Sequence, residues 1–358
     1  MKQNLDALSV TTVRMLAADM VEKAQSGHPG LPLGAAPMAY VLWTRILRHN
    51  PFVPHWPDRD RFILSAGHGS ALLYALLHLS GYDLSLEELK QFRQWESRTP
   101  GHPEYGVTPG VETSTGPLGQ GLAMGVGMAM AERHLASKFN PTLVNHFVYA
   151  IVSDGDLMEG VAAEAASLAG HLQLGKLIVL YDDNRISIEG STDLTFTEDV
   201  EARFRAYGWH TVTVPDGEDL DAIESALKAG QREQTRPTLI RVRTQIGFGS
   251  PGANTAAVHG SPLGASRMAA TRAFFQWPEE PFHIPQEVVQ WFKIHAEQGR
   301  QICQAWEERV ANESTELKER LAGTLPVGWD TPLMALTFAK PIATRAASGM
   351  AINALAET

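Results

Sequence analysis

Phe147-Val148-Tyr149-Ala150-Ile151-Val152-Ser153-Asp154-Gly155-Asp156 is the stretch that decides the fold. Its first six residues form an unbroken apolar, β-rich run, the composition of a strand buried on both faces. A helical pattern follows over 157–172. A second strand of the same kind is predicted at 177–181, ending on Asp182-Asp183-Asn184. Strand, helix and strand in this order imply a right-handed crossover between parallel neighbours. Working outward, further strands are predicted at 61–64, 211–214 and 238–243. Helices are predicted at 35–47, 70–79, 119–139 and 220–229, with an amphipathic one at 5–24 that stops at Ser26-Gly27-His28-Pro29-Gly30. The fold class is therefore α/β, a doubly wound parallel sheet flanked by helices.

Beyond Pro281 the pattern turns into a long charged helical region. Residues 1–321 read as one domain with a C-terminal helical extension, and 322–341, with its cluster of prolines, as a linker. Residues 342–358 read as the start of a second domain, in a helix with no stop signal, so a C-terminal continuation is expected. Small residues at Gly121, Ala123, Gly125, Gly127 and Ala129 fit either tight packing within the chain or a dimer interface.

Bulk properties exclude several classes. A formal net charge of -10 over 358 residues argues against a nucleic-acid footprint, which needs a basic face. It leaves room for a small anion held at a helix N-terminus. The single cysteine, Cys303, cannot form an internal disulfide, which points to a reducing, cytoplasmic setting. No apolar run reaches the roughly 18 residues of a membrane span, and the N-terminus lacks a signal-peptide layout.

The chemistry gathers at the strand ends. Ser153-Asp154-Gly155-Asp156 and Asp182-Asp183-Asn184 each follow one of two parallel strands, where doubly wound sheets bind ligands. Either motif alone reads as a helix or turn cap. Together they bring the Asp154 carboxylate and the Asn184 amide toward each other, hard oxygen ligands suited to Mg2+ or Ca2+ with places left for phosphates. Gly155 lets a diphosphate lie against the backbone at a helix N-terminus. The loop over 100–121 is long and rich in Gly, Pro and Thr, a mark of function in a compact domain. His28, His68, His102 and His259 stand in such glycine-rich segments and can shuttle protons near neutrality. The other histidines, among them His49, His78, His134 and His171, read as ordinary surface or helix residues.

Asp154-Gly155 with Asn184 resembles the thiamine-diphosphate signature. Five further segments narrow the resemblance to the transketolase family: 26–30, Ser65-Ala66-Gly67-His68-Gly69, Thr99-Pro100-Gly101-His102-Pro103-Glu104, 116–121 and Ile246-Gly247-Phe248-Gly249-Ser250-Pro251. The resemblance implies the diphosphate-binding (PP-type) half of a transketolase, using thiamine diphosphate and Mg2+ or Ca2+. It implies transfer of a two-carbon ketol unit from xylulose 5-phosphate to ribose 5-phosphate. On that footing Asp154, Asn184 and the Ile186 carbonyl would hold the metal. Gly155 and His259 would meet the diphosphate, and Gly116 and Leu118 the middle of the cofactor. His28, His68, His102 and His259 would surround the thiazolium and the sugar hydroxyls, Arg345 would grip a substrate phosphate, and Glu159 would lie at a subunit interface. The family is homodimeric, and a second domain from the partner binds the aminopyrimidine ring, so the isolated chain is expected to turn over poorly or not at all; the expected partner is a second copy in a homodimer or a complementary C-terminal chain. A dihydroxyacetone or deoxyxylulose-phosphate synthase, or a non-catalytic subunit, is the alternative. Ser153 and Arg185 stand where the resemblance leads one to expect glycine; the Arg185 side chain is expected to point to solvent.

Overall fold

The computed structural model describes residues 2–311, 313 and 315–356. Strands β1 (Arg61–Leu64), β2 (Val148–Ser153), β3 (Leu177–Asp183), β4 (His210–Val214) and β5 (Thr238–Arg243) form one sheet in the order β1-β2-β3-β5-β4, parallel throughout. The α-helices of five or more residues are, in chain order, α1 (Lys2–Ala24), α2 (Gly30–Val41), α3 (Ser70–Leu79), α4 (Gln120–Lys138), α5 (Asp154–Met158), α6 (Gly160–His171), α7 (Val200–Ala206) and α8 (Leu220–Arg232). After them come α9 (Ala265–Phe274), α10 (Gln286–Val310), α11 (Thr315–Leu321) and α12 (Thr344–Leu355). The predicted doubly wound α/β sheet is the one that forms.

Side-chain alternation splits the central strands between two cores. Phe62, Leu64, Tyr149, Ile151, Ile178, Leu180, Ile240 and Val242 pack with α1, α2, α3 and α8. Ile63, Val148, Ala150, Val152, Leu177, Val179, Tyr181 and Leu239 pack with α4, α6 and α7. Both faces are thus covered, which is why β2 and β3 are buried along their whole length.

Four local expectations need correction. Helix α1 is not amphipathic: it is buried on nearly every side, and its polar residues are tied to distant segments. Arg14 donates to the Leu33 carbonyl at 2.7 Å and to Glu218 at 2.5 Å. Asp6 accepts from Tyr40, and Asp19 accepts from Arg272. The predicted helix at 35–47 begins earlier, at Gly30, and ends in one wide turn at Leu42–Ile46. The predicted helix at 157–172 is two helices, because Glu159 takes an extended conformation (ψ 137°) between α5 and α6. His49 is a core residue, 5% exposed, stacked on Tyr82 with ring centroids 5.7 Å apart.

Burial pushes the His49 pKa down to about 4. A depressed imidazole binds fewer protons in the folded chain than in the unfolded one, so stability falls as pH drops from about 6.5 to about 4. The full effect is up to about 3 kcal/mol. Thermal melting across pH 4–7 should show this loss, and His49→Gln should flatten it; an unchanged slope in the variant would contradict the assignment.

The chain divides into two compact units, the larger ending at Trp306 and the smaller beginning at Glu307. The smaller contains α11 and α12, and its residues 323–341 are mostly exposed and irregular apart from one turn at Thr331–Met334. Among the described residues no helix is long and apolar enough to cross a membrane.

Candidate active site

At the carboxyl ends of β1, β2 and β3 the chain opens a cleft of about 440 Å3. Every wall is a loop that leaves a strand or enters a helix. His28 comes from the turn before α2, His68 from the turn between β1 and α3, and His102 with Gly116 and Leu118 from the long loop before α4. Gly155 lies at the start of α5, Asn184 and Ile186 follow β3, and His259 comes from the segment after β5. The four predicted histidines therefore line one cavity. Ring centroids of His28 and His68 lie 5.1 Å apart, those of His68 and His259 5.3 Å, and those of His28 and His259 5.7 Å. His102 is held against Gly116, which has φ +143°; a Cβ there would lie 3.2 Å from the imidazole ring.

These imidazoles are uncharged at neutral pH. His28 is pushed down to about 4, chiefly by burial, then by His259, Arg93 and His102. Burial and its histidine neighbours hold His68 well below the usual range. His102 is lowered by burial and by Arg93, and His259 by burial. Among the described residues, the Nδ1 atoms of His28 and His259 are shut off from solvent and have no hydrogen-bond partner.

The other end of the cleft is carboxylate- and backbone-lined. Ser153 pairs in register with Asp182, so Asp154 and Asn184 leave adjacent strand ends. Asp154 is 3% exposed; its Oδ1 accepts from the Tyr181 hydroxyl, and its Oδ2 is buried with no hydrogen-bond partner among the described residues. Burial first, then Asp182 and Asp183, pushes its carboxyl up to about 7. Asp154 itself lines an adjoining depression with Tyr181, Asp183 and Arg185 rather than the histidine cleft, so it stands behind the wall that Ser153 and Gly155 form. Asn184 Oδ1 accepts from the Ile186 amide at 2.9 Å. At Gly155 a Cβ would meet Leu118 at 3.0 Å and narrow the cleft where the backbone is otherwise open.

The model for the transketolase thiamine diphosphate-binding domain matches residues 5–326. The chain belongs to this family. Transketolases from Geobacillus stearothermophilus and Halalkalibacterium halodurans are 53% and 54% identical to it over 100% of its length. In each case it covers 55% of the relative, so the chain spans about half the length of the curated relatives it matches. A transketolase structure from Pichia stipitis, in complex with sedoheptulose 7-phosphate, is 45% identical with a TM-score of 0.93, over 99% of this chain and 54% of that one. The Leishmania mexicana transketolase is 46% identical, with a TM-score of 0.92 over 98% and 54% of the two chains.

Other predicted residues fall as follows. Glu159 is exposed at the mouth of the cleft, at the break between α5 and α6. Arg345 is exposed on the first turn of α12 in the smaller unit. Arg185 takes φ +62°, the left-handed conformation that glycine favours, while its side chain is 57% exposed and 3.9 Å from Asp183. The side chain thus faces solvent as expected, and the left-handed backbone adds strain on the order of 1 kcal/mol.

Sequence reasoning missed Asp156. Its carboxylate is 0% exposed. Oδ1 accepts from Ser65 Oγ at 2.7 Å and the Gly119 amide at 2.8 Å, and Oδ2 from the Ser153 amide at 2.9 Å and Ser153 Oγ at 3.2 Å. One side chain thereby joins the His68 turn, the Gly116–Gly119 loop and the Asp154–Gly155 corner. The signal available was the capping-box pattern Ser153-x-x-Asp156, which pointed only to a helix start.

Proposed function

We propose that this chain supplies the diphosphate- and metal-holding half of a transketolase site that moves a two-carbon ketol unit between xylulose 5-phosphate and ribose 5-phosphate. The observation that carries the reading is the set of four neutral imidazoles in one cleft, beside a glycine-lined strand-end corner. Thiamine diphosphate, when bound, supplies the carbanion chemistry.

The residues present fit that group. Asp154 offers a buried, unpartnered oxygen, Asn184 an amide oxygen, and no donor among the described residues is directed at the Ile186 carbonyl. Among the described residues no cluster of three His, Cys, Asp or Glu side chains could hold a metal. One carboxylate with two neutral oxygens instead suits Mg2+ (or Ca2+), which fills its shell with phosphate and water. Gly155 and His259 would line the diphosphate, and Gly116 and Leu118 the middle of the cofactor. His28 and His259, uncharged and lining the cleft, would take a hydroxyl proton from the sugar and return it. His68 and His102, neutral and close, would hold the remaining hydroxyls. By likeness to the family, Arg345 is assigned a substrate phosphate and Glu159 a contact between two copies in a homodimer. The reducing cytosol suits a chain with one cysteine.

The test is ketol transfer with thiamine diphosphate and Mg2+, by this chain alone and mixed with a transketolase pyrimidine-binding domain. Transfer only in the mixture is expected. Full transfer by the chain alone would overturn the assignment as one half of the site, and none in either, with folded protein, would overturn the activity.

A further inference from the structure

Two neighbouring residues of β3, neither assigned a role so far, decide which oxygens at the strand-end corner stay open. Tyr181 is opposite Val152 in the sheet register, and Asp154 is two residues beyond Val152, so Tyr181 and Asp154 share one face. The Tyr181 hydroxyl donates to Asp154 Oδ1, and both residues are 3% exposed. That bond occupies one carboxylate oxygen and leaves Oδ2 buried and, among the described residues, without a well-formed hydrogen bond, although the Arg185 backbone amide also acts on this carboxylate.

Asp182 does the same for the amide. It is 1% exposed; Oδ1 accepts from Thr244 Oγ1, and Oδ2 accepts from Asn184 Nδ2 at 2.8 Å. An amide whose nitrogen donates to a fixed carboxylate cannot flip, so the Asn184 oxygen must face the opposite way. There it meets one donor, the Ile186 amide, and keeps a second lone pair. The Ile186 carbonyl sits at a bridge with Ser191 whose hydrogen bonds run through the flanking residues, Thr192 to Arg185 and Ser187 to Gly190. Three oxygens are left with capacity, and each owes that to a neighbour that occupies the alternative.

We infer that Tyr181 and Asp182 are positioning residues that aim one oxygen each of Asp154 and Asn184 at a divalent cation. This rests on the reading that Asp154, Asn184 and the Ile186 carbonyl hold the metal. Partners of this kind behind metal ligands typically account for 10–100-fold in metal affinity. A purely structural hydrogen bond would instead affect folding and leave the metal affinity alone.

Mn2+ serves as a paramagnetic probe for the site, with binding to the full chain followed by electron paramagnetic resonance in the presence of thiamine diphosphate. Tyr181→Phe removes only the hydroxyl and should weaken Mn2+ roughly tenfold or more with unchanged circular dichroism. Asp182→Ala removes the acceptor that fixes the Asn184 amide and should weaken Mn2+ at least as much; unchanged Mn2+ affinity there overturns the part assigned to Asp182. Tyr149→Phe is the control: Tyr149 is equally buried in the same sheet, but its hydroxyl accepts from Gln231 on the opposite face. Equal Mn2+ affinity in Tyr181→Phe and the wild type, or equal weakening in Tyr181→Phe and Tyr149→Phe, overturns the inference and leaves the metal site standing. No Mn2+ binding by the wild-type chain overturns the metal site, and the inference with it.

Discussion

Asp156→Ala is expected to lower the apparent melting temperature by roughly 6 °C. Truncation leaves the Gly119 amide, the Ser153 amide and Ser65 Oγ facing a void in a region with no access to water. Each buried donor left unmatched costs about 1–3 kcal/mol, and charge-assisted bonds lie at the upper end. Some relaxation is available to Ser65, whose Oγ also accepts from the Leu122 amide at 3.1 Å. A net loss of about 4 kcal/mol follows, and for a unit that ends at Trp306 each kcal/mol is worth roughly 1.5 °C. Thermal melting followed by circular dichroism checks the value. A shift of only a degree or two would mean that the three loops are held by something other than this carboxylate.

The second large effect has opposite signs in the two states of the protein. Asp154→Asn keeps the shape and the acceptor for Tyr181, and it replaces the unpartnered oxygen with an amino group. Stabilisation by Mg2+ with thiamine diphosphate should vanish, a loss of about 2.7 kcal/mol at a ligand concentration 100 times the dissociation constant. Without ligand the variant should be no less stable than the wild type at pH 8. The fold already disfavours a charge at Asp154, whose carboxyl is pushed up to about 7 by burial and then by Asp182 and Asp183. Scanning calorimetry of both proteins, with and without ligand, separates the two effects. Retained stabilisation in the variant would remove Asp154 from the metal site.

How much of this was legible depended on whether the signal was local. β2 and β3 announced themselves because a strand buried on both faces needs an unbroken apolar run, and the bounds of β1, α3 and β5 followed from composition and turn residues. The four site histidines were legible through the glycine-rich segments around them. Helix α1 was misread as amphipathic because its polar residues find their partners far away: Arg14 meets Glu218 at a separation of 204 residues, and Asp19 meets Arg272 at 253. Asp156 was overlooked for the same reason, since Ser65 lies 91 residues from it and Gly119 37. Tyr181 reads in sequence as one more core aromatic; only the register of β2 with β3 places its hydroxyl on Asp154. Gly160, directly after the extended Glu159, was a weak local hint of the division between α5 and α6 inside an otherwise helical pattern.

Metal-dependent recognition of a diphosphate is tested most directly by titrating thiamine diphosphate and thiamine into the chain, each with Mg2+ and with EDTA. Calorimetry should find thiamine diphosphate bound roughly tenfold or more tightly with Mg2+ than with EDTA, a difference of about 1.4 kcal/mol or greater, and thiamine indifferent to the metal. Thiamine diphosphate and thiamine binding alike, or thiamine diphosphate binding equally with Mg2+ and EDTA, would contradict the assignment of the strand-end corner.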